Sequence, residues 1–259
     1  MSATAQEWGL VRCLWARELL RARRERARWI AAFGQPALTW IIFGAGFSSV
    51  FRIPGAEHVG SMAFFFPGML ALVMLFTTIF ATISVVEDRQ QGFLQSVLVA
   101  PGSRLALVAG KVLGVTTLAA IQLAIFVAIA PVAGVSLSGV RWPALVAVAT
   151  VGCIGLTAMN FTVAWILDSV QAYHAIMGVV LFPLWFLSGA LFPAPEGWLG
   201  ALMHVNPLTS IVDGLRAALA PDAHGVPGLG LGVALLALSV YAAAMLAVAA
   251  WACRRRGAS

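Results

Sequence analysis

Charge is the scarcest property of this 259-residue chain: Asp, Glu, Lys and Arg make up 10% of it, against about 25% in an ordinary soluble domain. So few ionisable groups cannot cover the exterior of a 27.3 kDa soluble protein. Segments of alternating polarity are lacking too, which argues against a membrane β-barrel. Cysteine is sparse, and Cys13, Cys153 and Cys253 lie in separate segments. No Cys-x-x-Cys pair is present, so neither a structural metal site nor a disulfide is expected, and the three read as packing residues. Catalytic signatures are missing: there is no His-Glu-x-x-His, no Gly-x-Ser-x-Gly elbow and no pair of mid-membrane aspartates. The Gly110-Lys111 pair is no phosphate loop, because Leu105 stands where that motif needs glycine and Val112 where it needs Ser or Thr. ATP is therefore not expected to bind this chain through that motif.

What the chain has is hydrocarbon, with 61% of its residues apolar. A bilayer core about 30 Å thick takes about 20 apolar residues as a helix rising 1.5 Å per residue. Six runs approach that length: residues 29–50, 62–86, 105–133, 143–167, 173–191 and 228–252. The fifth is the shortest and carries Pro183, which predicts a kink relieved by neighbouring helices. An even number of spans puts both termini on one side. With that side cytoplasmic, it holds thirteen of the 16 basic residues, leaving Arg52, Arg141 and Arg216 outside. The net charge of +6 follows from this topology; without an interleaved aromatic-basic motif, nucleic acid is not the expected partner.

Residues 7–29 place Trp8, Val11, Trp15, Leu19 and Ala22 at spacings of three and four with arginines on the other faces, which predicts an amphipathic interfacial helix rather than a secretory signal. Two connections are long. One joins the second and third spans over residues 87–104, and the other covers 192–227. The second is apolar and divides into two helical patterns, Trp198, Leu199, Leu202 and Met203 after Pro193 and Pro195, then Leu208, Ile211, Val212 and Leu215 after Asn206 and Pro207. Two arrangements fit, a re-entrant hairpin or two helices lying flat on the outer surface. The span centres carry neutral polar groups, among them Gln35, Thr77, Thr78, Gln122 and Asn160, suited to bonding a neighbouring helix or to lining a path. Ionisable residues at those centres are lacking, which disfavours proton or sodium coupling. The spacing of Gly110 with Gly114, and of Gly228 with Gly232, suits close helix approach.

Two stretches carry a family resemblance. The first is Glu87, Gly92, Leu94, Leu98 and Pro101 followed by Gly110-Lys111. The second runs Phe182-Pro183, Ser188-Gly189, Phe192-Pro193, Trp198-Leu199, Asn206-Pro207-Leu208 and Leu215-Arg216. In order and spacing the chain resembles the permease subunits of ABC-2 type exporters along nearly its whole length. It departs from them at Phe93 and Gln95, where Thr and Glu are usual, and at Ala100, where Ser or Thr precedes the proline. The resemblance implies a homodimer, or a heterodimer with a similar permease, working with two separately encoded ATP-binding cassette subunits that hold the ATP and magnesium. It also implies a coupling helix in the first loop, flanked by Glu87, Arg89, Gly92 and Pro101, with Phe93, Leu94, Val97 and Leu98 as its apolar docking face. The N-terminal helix, through Trp8, Val11, Trp15 and Leu19, would add a second contact. Pro193, Trp198, Asn206, Pro207 and Leu208 would shape the external hairpin.

The expectation is an all-α membrane protein with six transmembrane helices: an interfacial helix over residues 1–28, a transmembrane domain over 29–252 and a basic tail over 253–259. It would sit in the inner (plasma) membrane as a multi-pass, non-enzymatic subunit of an ATP-driven exporter of amphipathic or lipophilic molecules. A stand-alone channel or secondary carrier is the alternative, and an intramembrane enzyme lacks a recognisable site.

Overall fold

The structure, a computed structural model, describes residues 3–47, 60–92, 103–219 and 228–255. The described residues form nine α-helices with no strand: α1 (Ala3–Arg24), α2 (Arg26–Gly46), α3 (Ser61–Gln90), α4 (Arg104–Ala128), α5 (Trp142–Ile166), α6 (Val170–Phe186), α7 (Trp198–Val205), α8 (Pro207–Leu219) and α9 (Leu231–Arg255). Two short 3₁₀ turns, Ala130–Ala133 and Leu137–Gly139, join α4 to α5.

Four of these helices, α3, α4, α5 and α9, are long and apolar enough to cross a membrane. They coincide with four of the six predicted spans. The predicted first span overlaps α2, which carries Arg26 and Arg28 at its start and Gln35-Pro36 in its middle. The predicted fifth overlaps α6, whose 17 residues reach only about 25 Å. Helices α1 and α2 meet at Glu25, just before the predicted start of the first span at Trp29.

Helix α3 is the centre of the bundle. Every residue from Phe64 to Leu75 is buried, as expected for a helix apolar on all sides. Helices α2, α4 and α5 pack around it, α8 fits between α3, α5 and α9, and α1 lies along α4. Helix α9 shows the opposite pattern: Ala234, Leu238 and Ala249 are buried, while Val233, Leu236 and Val240 stay exposed.

The neutral polar groups of the spans bond across helices. Gln122 of α4 accepts from the Thr77 hydroxyl, the Asn160 amide of α5 donates to Thr78 at 2.9 Å, and the Tyr173 hydroxyl of α6 meets Thr82 at 2.6 Å. Gln35 alone of the five predicted groups is exposed. Between helices already solvated by lipid tails, such bonds and close packing supply cohesion that the hydrophobic effect does not.

The side-chain contacts define two ends. At one, the last turns of α3, α5 and α9 meet the first turns of α4 and α6, with α1 alongside; this end gathers most of the described arginines. At the other, the first turn of α3 meets the last turns of α2 and α6 together with α8.

Candidate functional site

The charged end is built on a seam between α1 and α4. Gly110 and Gly114, one turn apart on α4, leave a trough: a Cβ built on Gly110 would lie 2.7 Å from the Leu14 Cβ, and one on Gly114 would lie 2.7 Å from the Glu18 Cβ. The close approach carries Glu18 to Lys111, whose Nζ is 2.7 Å from the carboxylate and also donates to the Ser84 hydroxyl of α3. Both charges are buried, Glu18 to 5% and Lys111 to 6% exposure, so the pair must compensate itself. The other glycine pair behaves differently. Gly228 lies against Asp213, whereas Gly232 has open space around it.

On either side of Glu18 on α1, two arginines one turn apart reach the end of α3. Arg17 binds Asp88 bidentately, with nitrogen to oxygen distances of 2.7 and 2.5 Å. Arg21 bonds Asp88 at 3.1 Å, pairs with Glu87, and is held from behind by Glu25 at 3.0 Å. Burial works against the charge of Arg21, but the Glu25 hydrogen bond and the fields of Asp88 and Glu87 outweigh it and raise its pKa.

The same end is tied across the bundle. Arg89 spans from α3 to the turn between α5 and α6, donating to the carbonyls of Leu167 (3.1 Å) and Trp165, pairing with Asp168 at 3.0 Å and lying over the Trp165 ring. Arg104, at the start of α4, donates to the carbonyls of Cys253 and Arg254 at 2.9 and 3.1 Å, where the terminal carbonyls of α9 favour a cation. Gly92 terminates α3 with φ 74°, a left-handed conformation open to glycine, and its N–H bonds the Arg89 carbonyl at 3.0 Å. These contacts bracket the first loop on both sides.

Of the residues expected in that loop, Glu87, Arg89 and Gly92 therefore anchor its entrance. Phe93, Leu94, Val97, Leu98 and Pro101 lie outside the described residues. Of the N-terminal stripe, Val11 is buried, Leu19 is half-buried and Trp8 and Trp15 are exposed, with the Trp15 indole N–H bonding Thr117 of α4 at 3.1 Å. The row that meets the glycines of α4 is a neighbouring one, through Val11, Leu14 and Glu18.

At the other end, two short helices form in the predicted 192–227 segment. Asn206 is the key residue there: its amide donates to the carbonyls of Leu184 (2.6 Å) and Leu187 (3.0 Å), and its carbonyl oxygen accepts from the Leu208 N–H at 3.0 Å. It thereby caps α8 just before Pro207 and satisfies the end of α6. Leu208 is buried, whereas Trp198 is 79% exposed and Pro193 is half-buried. Arg216, counted among the three external basic residues, is buried. It pairs with Asp213 at 3.0 Å, donates to the Gly189 carbonyl at 2.9 Å and lies 4.9 Å from the Phe64 ring centroid.

Sequence reasoning missed Arg17, Glu18, Arg21, Asp88 and Asp213 as partners. A signal was there for two of them: a lysine two turns inside an apolar span demands an acid, and Glu18 is the odd acid on a basic helix. Asp213 and Arg216 stand at the i,i+3 spacing of a helical ion pair.

A bundle of helices long enough to cross a bilayer, with polar bonds facing inward and a charged platform at one end, defines a multi-pass membrane protein. The chain belongs to the ABC-2 type transporter family, whose sequence profile matches residues 9–220, from α1 through α8. A protein of Cyanophora paradoxa named "Putative transport permease ycf38" is 29% identical over 210 residues, covering 77% of this chain and 70% of that protein. The chain is accordingly a transport permease, from a family that normally works with an ATP-binding subunit.

Proposed function

We propose that this chain is the membrane subunit of an ATP-driven exporter that moves an amphipathic or lipophilic molecule outward. It spans the inner membrane six times, through α2, α3, α4, α5, α6 and α9, with both termini and the charged end in the cytoplasm. Segment 192–227 forms a re-entrant hairpin on the far side. Residues 1–28, 29–252 and 253–259 are the interfacial helix, the transmembrane domain and the tail. Two permease copies, identical or similar, pair with two ATP-binding cassette subunits, which hold ATP and magnesium and supply the energy.

The observation that carries this reading is the clasp of Arg17 and Arg21 on Glu87 and Asp88. It joins α1 to the end of α3 at the mouth of the first loop, so a push on the loop is passed to α1, α3 and α4 together. Phe93, Leu94, Val97 and Leu98 supply the apolar docking face, with Pro101 closing it and Trp8 and Trp15 offering a neighbouring exposed surface. A partner that closes on ATP can then shift the gating equilibrium by its differential affinity for the two membrane states. The apolar character of the spans favours lipophilic over strongly charged cargo. Against a stand-alone carrier stands the pairing of the buried charges Glu18 with Lys111 and Asp213 with Arg216.

Co-expression with the cognate ATP-binding subunit tests the proposal. The purified chain alone is expected to hydrolyse no ATP, and the complex to be a stable ATPase that loses both assembly and transport in Leu94→Asp or Leu98→Asp. Nucleotide-independent transport by the chain alone in liposomes would reject the exporter reading in favour of a channel or carrier.

A further inference from the structure

A groove of about 390 Å³ runs between α4 and α5, floored by Leu70, Cys153 and Leu215. Apart from Thr116, Thr150, the Cys153 thiol and the Trp142 indole N–H, its lining is hydrocarbon. Several of its walls, including Ala120, Ala124, Val146 and Thr150, are exposed on the outside of the bundle, so the groove opens sideways rather than into the helix core. Because α4 and α5 are both long and apolar enough to cross the bilayer, that opening faces lipid tails.

Its length is informative. On α4 the lining runs from Thr116 to Ala128, about 18 Å along the axis, and on α5 from Trp142 to Cys153, about 17 Å. Each matches the depth of one leaflet, about 15 Å of hydrocarbon. Spread over that length, the volume describes a narrow furrow that accommodates an extended hydrocarbon chain. The groove starts at one end of the bundle and stops at mid-depth. At its end of the bundle stand Trp142, 49% exposed, and Arg141, also exposed and with no acidic partner among the described residues. An amphipathic aromatic ring beside an exposed cation is the pairing found at the headgroup level of a membrane.

We infer that this groove seats one acyl chain of an anionic glycerophospholipid, with its phosphate held at Arg141. The site depends only on α4 and α5 crossing the bilayer, so it stands or falls separately from the exporter reading. The full chain is reconstituted in nanodiscs of equal parts phosphatidylglycerol and phosphatidylcholine, doped with either lipid bearing a photoactivatable diazirine on one chain. Tagged phosphatidylglycerol is expected to label peptides covering residues 116–128 and 142–153 in preference to the exposed face of α9. Ala124→Phe, which places a ring in the groove from an exposed position, should cut that labelling about tenfold, as expected when two or more methylenes lose their burial. Arg141→Glu, at an exposed position, should abolish the preference for phosphatidylglycerol while phosphatidylcholine still labels the same peptides. Labelling that is equal on α9, absent from the groove, or indifferent to Ala124→Phe would overturn the site, and equal labelling by the two lipids in the unaltered protein would overturn the anionic headgroup.

Discussion

The two ends of this bundle solve the problem of burying charge in different ways. At the charged end, ion pairs join residues far apart in the chain: Arg17 and Arg21 reach Asp88, and Lys111 reaches Glu18, so the pairs exist only while α1 is docked. At the opposite end Asp213 and Arg216 are three residues apart on one buried helix, and the polar contacts around them are to backbone carbonyls and N–H groups. A layer held by long-range pairs over a glycine trough can lift as a unit, whereas a pair internal to a buried helix cannot separate without opening the core. The contrast assigns movement to the first end and rigidity to the second.

The sharpest way to break the comparison is to remove one charge at the rigid end. Arg216→Met leaves Asp213 buried without its cation and is expected to cost about 3–5 kcal/mol, read as a large drop in thermal midpoint in detergent. The double variant Asp213→Asn with Arg216→Met should recover most of that loss, because a neutral pair carries no stranded charge. If the single variant melts normally, the pair is not a structural lock.

Next in size is the glycine trough. Gly110→Leu drives a side chain into Leu14 and the Val11 carbonyl, with an expected cost of about 1–3 kcal/mol. The cost should fall on α1 alone: limited trypsin is expected to cut at Arg17 and Arg21 faster while the core melts nearly as before. A core that melts early as well would show that α1 is integral to the bundle rather than a detachable layer.

A smaller effect is expected from Asp88→Asn, which replaces a charge-assisted bidentate contact with a neutral one, at about 1–2 kcal/mol. Raising salt should increase trypsin cutting of α1 in the unaltered protein and change it little in the variant, since Arg17 is partly exposed and its pairing is screened. The smallest change belongs to Trp8→Ala. This exposed side chain supports no packing, so stability should move by less than about 0.5 kcal/mol, and any loss should appear as weaker partner binding or membrane adhesion.

Much of this molecule could be read from its residues. The scarcity of charge excluded a soluble fold, and the spans at α3, α4, α5 and α9 follow from uninterrupted apolar length. Asn206-Pro207 announced the start of α8 because capping chemistry is local. Legibility failed where partners are remote. Periodicity marked the stripe of Trp8 and Trp15 on α1 but not the row of Leu14 and Glu18 that fits over Gly110 and Gly114, because that row is set by the shape of another helix. The burial of Arg216 was not legible either, because its depth depends on how α8 sits between α3, α5 and α9.

Composition and run length by themselves determined that the chain is helical and lives in a bilayer, since lipid leaves the backbone few other ways to satisfy its hydrogen bonds. Which charges meet, which face of α1 is buried and where a lipid-sized groove opens were decided only by the packed helices. Those outcomes depend on distances between segments tens of residues apart, and no local property of the chain encodes such a distance.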